Sequence, residues 1–181
     1  MAADAEQSKR CALPIAPAPP DEKDPSTWPA EMLAALQATI DRSRASAGAA
    51  VRDTFAHPER QMTAAEFVAF WNASRMKAMA TVGEGDAPIP HMAPVHAEFV
   101  AGRLRTTIYE DAVRRRDLRT NPHVAFTTWG PHGAAAIVYG IAREIPGSQR
   151  QTRPGATGRA RRTVGLDIEV TRVYAMKPRA A

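Results

Sequence analysis

The apolar residues of this chain change their period once, near residue 74. Before that point, Met32, Leu33, Leu36 and Ile40 recur at three- and four-residue spacing, which predicts an amphipathic helix to about Ala45. Ser26, Thr27 and Trp28 precede Pro29, so a hydroxyl can cap this helix, proline suits its first turn, and Glu31 favours the positive end of its dipole. Thr63-Ala64-Ala65-Glu66 is a capping-box pattern ahead of Phe67, Val68, Phe70 and Trp71, predicting a second helix to about Ala73. After Ser74 apolar residues alternate with polar ones. Strands are predicted over 76–82, 89–100, 103–109, 123–129, 134–145 and 164–176, with turns at Gly83-Glu84-Gly85-Asp86 and Gly130-Pro131-His132-Gly133. Residues 110–120 read as a short helix that stops at Asn121-Pro122, because proline steers the residue before it away from helical angles.

Six strands joined mostly by hairpins, with helices packed outside, predict a mainly β fold built as a small antiparallel barrel. Strand parity divides the second strand. Ala93, Val95, Ala97 and Phe99 belong inside the barrel; Met92, Pro94, His96 and Glu98 face solvent, a partner subunit or a ligand. Residues 1–26 hold Pro14, Pro17, Pro19, Pro20 and Pro25 with little to bury, so a disordered tail is expected there. A helical extension over 27–62 and a barrel over 63–181 complete the organisation.

At 181 residues the chain is long enough for one domain with a proper core, and the 36 alanines discount its 44% apolar content. Charge is uneven. Residues 1–102 carry 9 Lys and Arg against 13 Asp and Glu, whereas residues 103–181 carry 15 against 6, so an anion is expected in the second half. The lone Cys11 excludes an internal disulfide framework and a multi-cysteine metal site. No apolar run nears the roughly 18 residues of a membrane span, and a soluble cytoplasmic protein is expected.

Four pieces follow one another in a fixed order: Gly85-Asp86-Ala87-Pro88, then His91-Met92-Ala93-Pro94-Val95, then Leu104-Arg105-Thr106-Thr107, then the run from Arg114 through Asp117-Leu118 to Asn121-Pro122-His123-Val124-Ala125. In order and spacing this series resembles the pyridoxamine 5′-phosphate oxidase-like superfamily, the flavin-binding split β-barrels, over roughly residues 63–177. The resemblance implies a six-stranded antiparallel split β-barrel that binds FMN at a homodimer interface and transfers hydride to or from a small molecule. It implies that Arg114, with Arg115 second, holds the FMN phosphate, that Thr106 and Thr107 contribute phosphate or ribityl contacts, and that His91, Met92, Ala93, Pro94, Val95 and His96 lie along the ring system. Arginine suits phosphate because its planar fork can donate two parallel hydrogen bonds.

Where the chain departs from the family, the expectation narrows. The C-terminal Arg- and His-containing segment that grips substrate phosphate in authentic pyridoxamine phosphate oxidases has no equivalent after Val173-Tyr174. Vitamin-B6 oxidation is therefore not expected. Ala135 stands where glutamine often meets the flavin, and His96 where lysine is common, which leaves FMN and a deazaflavin coenzyme both open. His96 is the expected catalytic residue, as a proton or hydrogen-bond donor to the reduced ring. His91 and His96, five apart on one strand, point to opposite faces, so no metal site is expected. The arginine-rich loop 147–163 lacks the aromatic platforms of nucleic-acid-binding barrels, which argues against nucleic acid. A flavin carrier or basic binding module without turnover is the alternative of another class.

Overall fold

The computed structural model describes residues 21–55, 57–84, 88–152, 158 and 160–179. Helix α1 (Ala30–Ala45) and helix α3 (Ala64–Ala73) form where the periodicity predicts them, and a short α2 (Ala49–Phe55), not predicted, lies between. Among the described residues eight strands follow: β1 (Lys77–Val82), β2 (Pro90–Val95), β3 (Ala97–Val100), β4 (Arg103–Tyr109), β5 (His123–Trp129), β6 (Ala135–Glu144), β7 (Arg150–Gln151) and β8 (Arg162–Met176). Helix α4 (Val113–Thr120) sits between β4 and β5, three residues later in starting than predicted.

All strand pairings are antiparallel, in the order β2-β1-β5-β6-β8-β4-β3, with β7 added to β8. The two ends of that path, β2 and β3, are one stretch of chain interrupted only at His96. The sheet therefore curls until the chain itself joins its edges. This corrects the predicted count of six: the second strand serves two neighbours, ending its ladder with β1 at Val95 and opening one with β4 at Ala97. Thr106 secures the bend by donating its hydroxyl to the carbonyl of His96 at 2.7 Å. The other added strand, β7, extends the β8 hairpin into the arginine-rich loop, of which 153–157 and 159 lie outside the described residues.

Inside the barrel, Met79, Phe99, Leu104, Phe126, Val138, Val164 and Leu166 are fully buried. Helix α3 packs against the barrel with its apolar face turned to the core. It closes one end, driving Phe67 and Trp71 against Phe99 at centroid distances of 5.4 and 6.1 Å, with the Trp71 indole donating to the carbonyl of Ala97. Each such side chain stabilises the fold by roughly 1.5–3 kcal/mol. The capping box of Thr63 and Glu66 is present in both directions, which fixes where this plug begins. Helix α1 does lie outside, against β8, where the Ser43 hydroxyl accepts from the Val173 amide.

Two backbone details set the barrel's shape. The β3–β4 hairpin turns on Ala101 and Gly102, both at positive φ, the signs of a type I′ turn. At Gly140 a bulge shifts the β6–β8 register, and a Cβ there would stand 2.6 Å from the Ile168 side chain and 2.7 Å from the Glu169 carbonyl. Residues 21–26, expected as the end of the tail, are folded: Asp24 caps a turn at Pro25–Thr27, and the Glu22 carbonyl accepts from the Trp28 indole and the Ala101 amide. Residues 1–20 lie outside the described residues. Among the described residues no helix is long and apolar enough to cross a membrane.

Candidate functional site

Helix α4 lies across the barrel end where β1 finishes and β2 begins. One turn of helix separates positions three apart, so Arg114 and Asp117 share a face while Arg115 turns away. Asp117 is 4% exposed, and one oxygen, Oδ2, serves two elements at once: it accepts the Thr81 hydroxyl of β1 at 2.7 Å and meets Nδ1 of His91 on β2 at 2.8 Å. Thr81 and His91 are register partners, which is how residues ten apart in sequence reach one carboxylate. Gly83 keeps the turn close, since a Cβ there would stand 3.1 Å from the other Asp117 oxygen.

Arg114 is half-buried on the same face. Its Nε is fully buried without a hydrogen-bond partner, a cost of about 1–3 kcal/mol for a polar group unless a ligand completes it. Desolvation lowers the pKa of this guanidinium, and the carboxylate of Asp117 opposes the shift. The N-cap of α4, Ala112, offers no side-chain oxygen to the first helical amides, so that end of the dipole is open to an anion.

The neighbouring arginines are committed elsewhere. Arg115 makes a two-pronged pair with Glu144, at 2.7 and 2.9 Å, which raises its pKa, and Arg119 reaches the same carboxylate. Arg103 pairs with Asp167, Arg143 with Glu169, Arg162 with Glu110, and Arg161 with Asp111 while stacking 3.7 Å over the Tyr109 ring. Much of the positive charge counted in the second half is thus neutralised within the fold. Arg114 and Arg116 remain the two arginines of α4 without an ion pair among the described residues.

On the outer face, register sets two rows across four strands: Met92, Ala80, Ala125 and Tyr139, then Pro94, Ala78, Thr127 and Ile137. Small side chains occupy its centre. The result is a flat apolar floor with large residues at its margins, and Met76, Ile89, Met92 and Trp129 are 57–70% exposed around it. A groove of about 560 Å³ opens beside Met92, Pro94, Met76 and Trp129.

The residues predicted from sequence divide accordingly. Met92 and Pro94 lie on the outer floor, Ala93 is half-buried, and Val95 faces the barrel interior. Thr106 points inward onto the His96 carbonyl, so of the predicted pair only Thr107 is exposed. Arg115 is held by Glu144. His96 has both ring nitrogens occupied, Nδ1 against the Arg75 carbonyl at 3.2 Å and Nε2 against Glu98 at 3.1 Å. Burial works against the charge on Glu98, but hydrogen bonds from Lys23 and His96 hold its pKa below the usual range. Gly85, Asp86 and Ala87 lie outside the described residues. Asp117 and Thr81 escaped the sequence reading; the signal was an acid inside a basic helix, legible only once register brings His91 beside it.

No protein-family model matches the chain, and no curated protein matches it. Solved structures do. A conserved hypothetical protein from Mycobacterium tuberculosis matches over 69% of this chain and 94% of its own, at 18% identity and a TM-score of 0.54. An FAD binding protein from Mycobacterium smegmatis matches over 64% and 94%, at 15% identity and a TM-score of 0.46. An F420 reductase matches over 59% and 94%, at 17% identity and a TM-score of 0.47. The architecture shared with the first of these is the split β-barrel, the fold that the sequence resemblance implies.

Proposed function

We propose that this chain is a flavin-type oxidoreductase that binds FMN, its phosphate at Arg114 and His91 and its ring system on the alanine-centred outer floor, with a second copy of the chain completing the site. The observation that carries this reading is the buried Nε of Arg114, a donor without a partner, which a phosphate oxygen would satisfy. Thr107, exposed on β4, offers a hydroxyl as a further candidate contact. The floor supports the ring: Ala78, Ala80 and Ala125 leave space for a planar group, and the exposed margins at Met92 and Trp129 are the kind of surface a partner covers.

When bound, the flavin supplies the hydride chemistry, and the protein supplies binding, orientation and exclusion of water. Arg114 and His91 anchor the polar tail. The apolar floor keeps water from one side of the ring. His96, clamped between Arg75 and Glu98, holds the bend that sets Pro94 and Val95 in place; a proton-donating part would require it to leave one of those partners.

The absorption spectrum of the purified full-length chain, before and after titration with FMN or a deazaflavin coenzyme, tests the reading. A yellow complex that bleaches on reduction is the expected result. A deazaflavin spectrum would keep the site and change its cofactor, and a protein that binds neither would overturn the oxidoreductase reading.

A further inference from the structure

We infer that Asp117 is a positioning residue that makes binding of a phosphomonoester at this site proton-linked: His91 must gain a proton at Nε2 before it can hold the phosphate. The inference rests on the placement of the cofactor phosphate beside Arg114 and His91. It goes further in specifying the protonation step and the residue that imposes it.

The geometry fixes the hydrogen at Nδ1. An ionised carboxylate can only accept, and Oδ2 of Asp117 already accepts the Thr81 hydroxyl. The His91 Nδ1 that meets the same oxygen at 2.8 Å therefore carries the hydrogen, a tautomer assigned from the network around it. In the neutral ring, Nε2 is then left with a lone pair. Among the described residues it has no partner, and the side chain is 41% exposed. A lone pair offers nothing to a phosphate oxygen. Once Nε2 takes a proton from solvent, the ring becomes a cation donating to the phosphate on one side and to Asp117 on the other, and the proton returns to solvent when the phosphate leaves.

The charges around His91 favour that step once an anion arrives. From α4 it meets Asp117, whose charge also acts on Arg114 of the same helix face, and across the β1–β2 register it is paired with the neutral Thr81. The described acid of the β1–β2 turn, Glu84, makes no ion pair with it, and β2 carries no other titratable side chain. Without the proton, Arg114 alone would balance Asp117 and the phosphate. With it there are two cations at the site. A hydrophobic residue in place of Asp117 would leave Nδ1 without an acceptor and release the tautomer, whereas an amide would keep an acceptor oxygen there.

Isothermal titration of FMN into the full-length chain near pH 8, in Tris and in HEPES, reads the proton directly through the buffers' different ionisation enthalpies. The expected result is uptake approaching one proton per FMN for the wild type and none for riboflavin, which lacks the phosphate. His91→Arg should bind FMN with no buffer dependence; His91→Gln should show none and bind about tenfold more weakly, the loss of one charge-assisted hydrogen bond. Asp117→Leu, which removes the acceptor, should lose most of the uptake while still binding. Should that variant fail to fold, the two His91 variants decide, since they leave the buried carboxylate in place. Equal apparent enthalpies in both buffers for wild-type FMN binding, or undiminished uptake in His91→Arg, would overturn the proton linkage and leave the flavin reading standing. Failure of the wild type to bind FMN at all would overturn both.

Discussion

Burial of one lysine shows how a single residue reports on the fold. Lys77 is 1% exposed at the start of β1, with its ammonium donating to the Ser74 carbonyl and lying 5.4 Å from the centroid of Trp71. Desolvation lowers its pKa from 10.5 to about 8, against the pull of Glu98. The unfolded chain therefore binds more protons than the folded one between those values, so stability rises with pH across that window. Below it the buried charge costs up to about 3 kcal/mol. Lys77→Met should stabilise the protein at pH 7 by roughly 1–3 kcal/mol in urea unfolding and lose that advantage by about pH 10.5. An advantage of the same size at both values would show that the ammonium is not what the substitution relieves. The same residue-scale logic separates the two threonines of β4. Leu104 and Ile108 are buried, so alternation alone places Thr106 inside with them and Thr107 outside.

Elements here do more than their periodicity announces. Helix α3 was legible from its capping box and apolar run, but the sequence did not say that it would plug the barrel with Phe67 and Trp71. Its start depends on Thr63, whose hydroxyl accepts the Glu66 amide, while Glu66 returns to the Thr63 amide and pairs with Lys177. Thr63→Ala should cost about 1 kcal/mol in denaturant unfolding, with the denaturant slope unchanged. No loss would mean that the aromatic plug alone fixes the helix. The break of the second strand at His96 was not legible, and for a definite reason. Val95 and Ala97 are both buried on either side of it, so the alternation that betrays a strand runs through the bend without a slip. In α4 the basic run points to Arg114 first and Arg115 second, and only the position of Glu144 on β6 shows that Arg115 is tied within the fold.

For the whole molecule, the first half contributes the plug and one wall, and the second half closes the barrel and carries α4. Charge counted along the chain points to an anion in the second half, and tertiary pairing narrows that surplus, leaving Arg114 on the face of Asp117 without an ion pair of its own among the described residues. The outer floor is the other property that only the assembled sheet has. Its alanines come from two strands and its margins from β2, β5 and β6, so no single segment displays it. If a second copy covers that floor, Trp129→Glu, at a residue 70% exposed, should shift the protein from dimer to monomer in sedimentation and weaken FMN binding with it. A dimer that survives the substitution with full FMN affinity would place the interface elsewhere.

The central claim, that Arg114 holds a cofactor phosphate at the α4 end of the barrel, is tested most directly by fluorescence titration of FMN against the wild type and Arg114→Glu. The wild type should quench FMN at one equivalent per chain, and the variant, with a carboxylate facing the phosphate beside Asp117, should lose at least about 100-fold in affinity while keeping its circular dichroism. Equal affinity in the two proteins would contradict the claim.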